Sequence, residues 1–184
     1  MLIIAITGMP GAGKTTAAQA LEETGLKRIA MGDMIREETK RRGLLEDDKN
    51  MGMVMREMRE RYGAGAVAEL CLRIIEPMKE KVVVVDGIRS IGEVEAFKRA
   101  GEVKLLAIHA SRQRRFALLS ERRRSDDPQD IESFNKRDER ELSIGIGNAI
   151  ALADEVVSNE HLLLQELAQA AVNIVEGWMS SVGS

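Results

Sequence analysis

Leu2-Ile3-Ile4-Ala5-Ile6 is a short apolar run rich in β-branched residues, and Thr7-Gly8-Met9-Pro10-Gly11-Ala12-Gly13-Lys14-Thr15-Thr16 follows it directly. Gly8, Gly13, Lys14 and Thr15 fill the pattern G-x-x-x-x-G-K-[ST], a phosphate-binding P-loop. Glycine lets the backbone turn with positive φ and bring a row of N–H groups around a phosphate. The helix predicted to begin near Lys14 adds the positive end of its dipole. The context that the pattern requires is present, with a buried-type strand before it and Ala17-Ala18-Gln19-Ala20-Leu21-Glu22-Glu23 as a helix after it. Lys14 is expected to reach the β- and γ-phosphates of a nucleotide, and the Thr15 hydroxyl to sit on Mg²⁺.

The composition suits a single soluble domain: 184 residues, 44% hydrophobic and 31% charged. A net charge of −3 argues against a bulk affinity for nucleic acid or membrane surfaces. Aromatic residues make up only 3% of the chain, so there is no stacking platform for bases either. One cysteine, Cys71, rules out an intrachain disulfide and points to a reducing, cytoplasmic compartment, with core packing as its role. The first strand starts beside Met1, which predicts no signal peptide, and no apolar run has the length of a membrane span.

Further along, Thr24-Gly25 ends the first helix and Leu26-Lys27-Arg28-Ile29-Ala30 is a weak second strand. Gly32-Asp33 opens a helix that Gly43 stops. A methionine-rich helix over about 46–61 and another over about 66–75 follow, so a helical insertion of about 32–80 separates the second strand from the third. Lys81-Val82-Val83-Val84-Val85-Asp86 is the clearest strand, its four valines indicating burial on both faces. Val103-Lys104-Leu105-Leu106-Ala107-Ile108 and Glu155-Val156-Val157-Ser158-Asn159 are the fourth and fifth strands. Helices are expected over about 91–100, from Arg114, over 131–153 and over 160–178, with a charged stretch over 122–130. This alternation predicts a three-layer α/β fold with a parallel sheet, whose ligands bind beyond the carboxyl ends of the strands.

Asp86, at the end of the valine strand, has the chemistry and the place to hold Mg²⁺. Three more segments carry a resemblance. Ala30-Met31-Gly32-Asp33-Met34-Ile35-Arg36 resembles the acceptor-site segment of adenylate kinases, and Asp86-Gly87-Ile88-Arg89 with Glu93 and Ala96 is similar to their Asp-Gly-Phe-Pro-Arg-x-x-x-Gln-Ala segment. Arg124-Ser125-Asp126-Asp127 resembles their Arg-x-Asp-Asp lid segment. With the P-loop these follow the order of P-loop nucleoside monophosphate kinases. The Ala153-Asp154-Glu155-Val156-Val157-Ser158-Asn159 stretch looks more like dephospho-coenzyme A kinases, and Arg137-Asp138-Glu139-Arg140 is similar to cytidylate kinases. The resemblance implies an ATP-dependent, Mg²⁺-assisted phosphotransferase with strand order 2-3-1-4-5. It implies an acceptor-binding insertion and a short arginine-rich lid over about 112–130.

Carried over residue by residue, the resemblance gives Gly8, Met9, Pro10, Gly11, Ala12, Gly13, Lys14, Thr15 and Thr16 to ATP, and Thr15 and Asp86 to the metal. It gives Asp33, Arg36, Arg89 and Glu93 to the acceptor, while the density of arginine beside a loop of Asp and Pro assigns Arg115, Arg122, Arg124 and Arg137 to the lid and donor. A catalytic part is expected of Lys14, Asp33, Arg89 and Arg124. Guanidinium groups suit phosphate because they bind it bidentately and keep their charge. Arg112, Arg114 and Arg123 are expected to face solvent. Glu93 stands where adenylate kinases read the base with glutamine, and a carboxylate accepts from an amino group without donating to a ring nitrogen. AMP, CMP and dephospho-coenzyme A are the candidate acceptors, with Asp33 a base only for a hydroxyl acceptor. A non-catalytic or slowly hydrolysing module that binds ATP or AMP is the rival. Asn135-Lys136-Arg137-Asp138 matches a guanine-reading motif but lies in a polar stretch, so a GTPase is not expected.

Overall fold

The structure is a computed structural model that describes residues 1–122 and 127–182. Its elements, in chain order, begin with β1 (Leu2–Thr7), α1 (Lys14–Glu23), β2 (Lys27–Ala30) and α2 (Met31–Arg41). Next come α3 (Asp48–Tyr62), α4 (Ala66–Ile75), β3 (Val82–Ile88), α5 (Ile91–Phe97) and β4 (Glu102–His109). The chain then runs through α6 (Arg112–Arg122), α7 (Ile131–Ile144), α8 (Ile146–Ala151), β5 (Glu155–Ser158) and α9 (Leu164–Val182).

The five strands form one parallel sheet in the order β2-β3-β1-β4-β5. Alternate side chains of the central strands feed two cores, as strand geometry requires. Ile3, Ala5, Val83, Val85 and Leu105 face α2, α3, α4, α5 and α8, together with Phe97, Cys71 and Leu72. Leu2, Ile4, Ile6, Val84, Leu106 and Ile108 face α1 and α9, with Leu167, Ala171 and Val175. Val83, Val84 and Val85 are fully buried; each such side chain contributes about 1.5–3 kcal/mol of transfer free energy. Burial on both faces is why the strand reads as a run of valines rather than as an alternation.

Three boundaries differ from expectation. The helix expected over 131–153 is broken by Gly145, which adopts φ 106° between α7 and α8. The last helix begins at Leu164, because the Glu160 carboxylate is bound to Ser111 N and Oγ at 2.7 Å each and Glu166 caps Leu163 N. β3 also runs past Asp86 to Ile88. Its register with β1 shifts there, pairing Ile6 with Asp86 and Thr7 with Ile88, so Gly87 is an extra residue. Such a bulge bends the strand and re-aims its side chains at the ligand edge.

Candidate nucleotide and acceptor site

The loop between β1 and α1 is held from three sides. Gly13, at φ 108°, is the N-cap of α1, and a methyl group on it would stand 2.7 Å from both Asn159 Nδ2 and Leu167 Cδ2. Asn159, just beyond β5, donates its side-chain amide to the Ala12 carbonyl at 2.9 Å. Gly8 passes so close to β4 that a methyl group would lie 2.2 Å from the Ile108 carbonyl oxygen. Arg115 of α6 donates to the Pro10 carbonyl at 3.1 Å.

Lys14 donates its ammonium to the carbonyls of Gly8 at 2.7 Å and Met9 at 3.1 Å. Burial pushes its pKa down from 10.5 to about 8, with Arg89 and Arg137 pushing the same way and Asp86 and Glu141 opposing. Asp86 is buried and bonded to Arg28 of β2 at 3.2 Å.

Two cavities meet at this loop. The first, about 230 Å³, reaches from Gly8, Lys14, Thr15 and Asp86 to the helical insertion. Six cationic side chains line it, Lys14, Arg59, Arg89, Arg122, Arg137 and Arg140, against three acidic ones, Asp86, Glu93 and Glu141. Met51, Gly52, Met55 and Arg59 present one face of α3 to it at helical spacing. Arg89 is paired with Glu141 at 3.2 Å, and Arg122 is bound to Asp127 through Nε at 3.0 Å. Arg59 pairs with Glu93. The second cavity, about 530 Å³, is lined by Gly13, Thr15, Thr16, Gln19, Arg114, Leu118 and 162–164. Gly11, Lys14, Thr15 and Arg122 line both.

Several expected site residues thus converge, and others do not. Lys14, Thr15, Asp86, Arg89, Glu93, Arg122 and Arg137 share the first cavity. Glu93 has no exposed surface; its carboxylate takes the backbone N–H groups of Arg89 at 2.7 Å and Ser90 at 3.2 Å in a capping box, besides pairing with Arg59. Asp33 and Arg36, expected at the acceptor, do not line the cavity: they pair with each other on the exposed side of α2, and Glu46 lies 3.7 Å from Arg36. Arg115, expected on the lid, is buried by its bonds to Asp138 and Pro10 and lines neither cavity. Arg124 lies outside the described residues. Arg114, expected in solvent, is half-buried and lines the second cavity.

The family described as an AAA domain matches residues 7–135. A UPF0200 protein of Methanocaldococcus jannaschii is 48% identical over 162 residues, 87% of this chain and 82% of its own. Another, from Staphylothermus marinus, is 43% identical over 178 residues, 96% of this chain and 92% of its own. The chain belongs to the UPF0200 family and carries this AAA domain. Solved structures agree on the fold. TT1252 from Thermus thermophilus superposes with a TM-score of 0.68 at 19% identity over 96% of each chain. A shikimate kinase from Bacteroides thetaiotaomicron superposes with 0.62 at 17% identity, over 95% of this chain and 98% of its own. This UPF0200 protein therefore has a P-loop kinase-like fold.

Sequence reasoning missed several residues of the candidate site in this UPF0200 protein. Arg59 carried no signal beyond being an arginine on a helix, and Arg140, given no role, had only its place in the Arg137-Asp138-Glu139-Arg140 stretch as a signal. Gly52 was a usable one: a helix-interior glycine is costly, and a methyl group there would stand 3.3 Å from Arg140 Nη1. Arg28 was hidden in a weak strand, yet β2 pairs with β3 in a register that puts Arg28 beside Val84 and Ala30 beside Asp86. Among the described residues no group of three or more His, Cys, Asp or Glu side chains could hold a metal by itself. No described helix is long and apolar enough to cross a membrane.

Proposed function

We propose that this protein is an ATP-dependent phosphotransferase whose acceptor is a small, phosphate-bearing nucleotide or nucleotide-like molecule. One observation carries the reading: the two cavities share Gly11, Lys14, Thr15 and Arg122, so a donor and an acceptor can meet at one phosphate loop. The larger cavity, with its leucines and Arg114, takes the donor nucleoside. The smaller one, with its cationic excess, takes an anionic acceptor, and the helical insertion holds it.

The Thr15 hydroxyl and the Asp86 carboxylate fit an ATP-bound Mg²⁺, since both are oxygen donors lining the cavity at the loop. That ion would neutralise charge on the β- and γ-phosphates. The residues of the chain do the rest. The loop amides and Lys14 hold the donor phosphates, and the arginines orient the acceptor and screen the transferring group. The γ-phosphorus forms a bond to the acceptor oxygen as its bond to the β,γ-bridging oxygen breaks, and ADP leaves. A phosphate acceptor is already anionic and needs no base. A hydroxyl acceptor does, and the carboxylates lining this cavity are each engaged: Asp86 with Arg28, Glu93 with Arg59, Glu141 with Arg89. That favours AMP or CMP over dephospho-coenzyme A.

The test is ADP formation from ATP-Mg²⁺ with AMP, CMP, UMP, GMP and dephospho-coenzyme A in turn. Turnover dependent on one monophosphate supports the reading. Turnover only with dephospho-coenzyme A sinks the choice of acceptor. Acceptor-independent hydrolysis, or none, with tight nucleotide binding, makes the protein a nucleotide-binding module instead.

A further inference from the structure

We infer that Arg115 and Asp138 are positioning residues for the donor: they clamp the phosphate loop to the helix that carries cations into the acceptor cavity. The pair is almost entirely buried, Arg115 at 5% and Asp138 at 8% exposure. Its geometry is bidentate, Nη1 to Oδ1 at 2.7 Å and Nη2 to Oδ2 at 2.5 Å, which fixes the guanidinium plane. With that plane fixed, Nη1 also reaches the Pro10 carbonyl at 3.1 Å. The Phe134 ring lies 5.1 Å from the Arg115 guanidinium carbon and packs edge-on against Phe116 at 5.3 Å. The Arg115 backbone takes part too: a methyl group on Gly11 would stand 2.8 Å from its carbonyl oxygen, so α6 and the loop are in direct contact.

The consequence lies in what each end holds. Pro10 sits between Gly8 and Gly13, where a turn of one carbonyl re-aims the neighbouring N–H groups that a phosphate needs. Asp138 sits on α7 between Arg137 and Arg140, both of which line the acceptor cavity. Asn135, one turn earlier on α7, is bound to Arg112. The Asn135-Lys136-Arg137-Asp138 stretch is thereby accounted for: its first and last members hold α6, and the guanine-reading match is coincidental.

This inference rests on the proposed function only for nucleotide binding, not for turnover. The test is calorimetric titration of the full chain with Mg²⁺ and the non-hydrolysable analogue AMP-PNP, with thermal unfolding alongside. The double variant Arg115→Met/Asp138→Leu replaces a buried ion pair by apolar groups, a change often neutral or stabilising for the fold. We expect a melting temperature close to that of the unaltered protein and a loss of AMP-PNP affinity of roughly tenfold, since one charge-assisted bond to the loop is gone. Asp138→Asn, which keeps the shape and weakens the grip, should lose about threefold. Should the double variant fail to fold, Asp138→Asn decides alone. Unchanged affinity in the folded variants overturns the inference while leaving the proposed function intact. No AMP-PNP binding by the unaltered protein overturns both.

Discussion

Arg28 of β2 holds Asp86 at the end of β3 through a 3.2 Å ion pair, and its other amine reaches Glu22 of α1 at 3.4 Å. The carboxylate assigned to the metal is therefore neutralised and oriented by a side chain from the neighbouring strand. Asp86 is almost fully buried and Arg28 only one-fifth exposed by side chain, so little solvent screens the pair. Arg28→Ala should cost about 2 kcal/mol of stability, the usual worth of a charge-assisted bond, which lowers the melting temperature by about 4–8 °C in a chain of this size. Differential scanning calorimetry of the two proteins checks it, and an unchanged melting temperature would count against the pair.

Gly13→Ala should remove nucleotide binding while leaving the chain folded. The added methyl group would meet Asn159 and Leu167, and the residue would keep a left-handed φ of 108° that alanine tolerates poorly. The strain falls on the loop and on the first turn of α1, so the loss of AMP-PNP affinity should be at least tenfold, the equivalent of about 1.4 kcal/mol. Circular dichroism should keep its helical signature.

The lowered pKa of Lys14, about 8, makes nucleotide binding proton-linked. A bound polyphosphate favours the ammonium, so its pKa rises on binding and the complex takes up a proton. Affinity should be flat below pH 7 and should fall by up to about tenfold per unit above pH 8. Calorimetry in buffers of different ionisation enthalpy should detect the uptake at pH 8.5 and almost none at pH 6.5. Lys14→Met should abolish it. For the ligand-free fold the sign is opposite in sense: the charged lysine opposes folding fully below pH 8, and the penalty is relieved as pH rises from 8 to 10.5.

Arg59 of α3 and Arg36 of α2 should behave differently. Arg59→Lys keeps a cation opposite Glu93 but loses the guanidinium in the cavity. The acceptor KM should rise about tenfold with the ATP KM within about threefold, because the change touches the acceptor side alone. Arg36→Ala and Asp33→Asn remove an exposed pair outside the cavity, and each should stay within about twofold in kcat/KM. Steady-state kinetics with the acceptor found by the panel decides it. A large loss at Asp33 would point back to a hydroxyl acceptor.

The sheet was legible because its signals are local. The P-loop glycines, the valine run and the alternation of strand and helix each follow from backbone geometry and burial of a few consecutive residues. The order β2-β3-β1-β4-β5, though, came from resemblance to a kinase family and not from any local signal. The phosphate loop was legible for the same reason as the sheet, since Gly8 to Thr16 is one continuous segment. The proposed acceptor half was legible only in part, through Arg89 and Glu93. Arg59, Arg89, Arg137 and Arg140 come from α3, the β3–α5 turn and α7, and only packing brings them together. On a helix an arginine facing a cavity and one facing solvent have the same sequence signature, which is why Arg59 and Arg140 went unassigned although both line the first cavity. Glu93 shows a further limit: a residue can sit at a family's recognition position and have its carboxylate occupied by a helix cap.

Cys71 lies in α4 with no exposed surface, in the core that joins the helical insertion to the sheet, and burial pushes its thiol up to about 12. A thiol in that state is inert to alkylation, because the thiolate is the nucleophile. Being the only one in the chain, it reports on a single event, the parting of α4 from its neighbours. The rate at which a maleimide captures it in native buffer therefore measures how often the helices of the insertion open. Occupancy of the first cavity, which Val67 of the same helix lines, should slow that capture, giving a chemical readout of binding at the proposed acceptor site that requires no turnover.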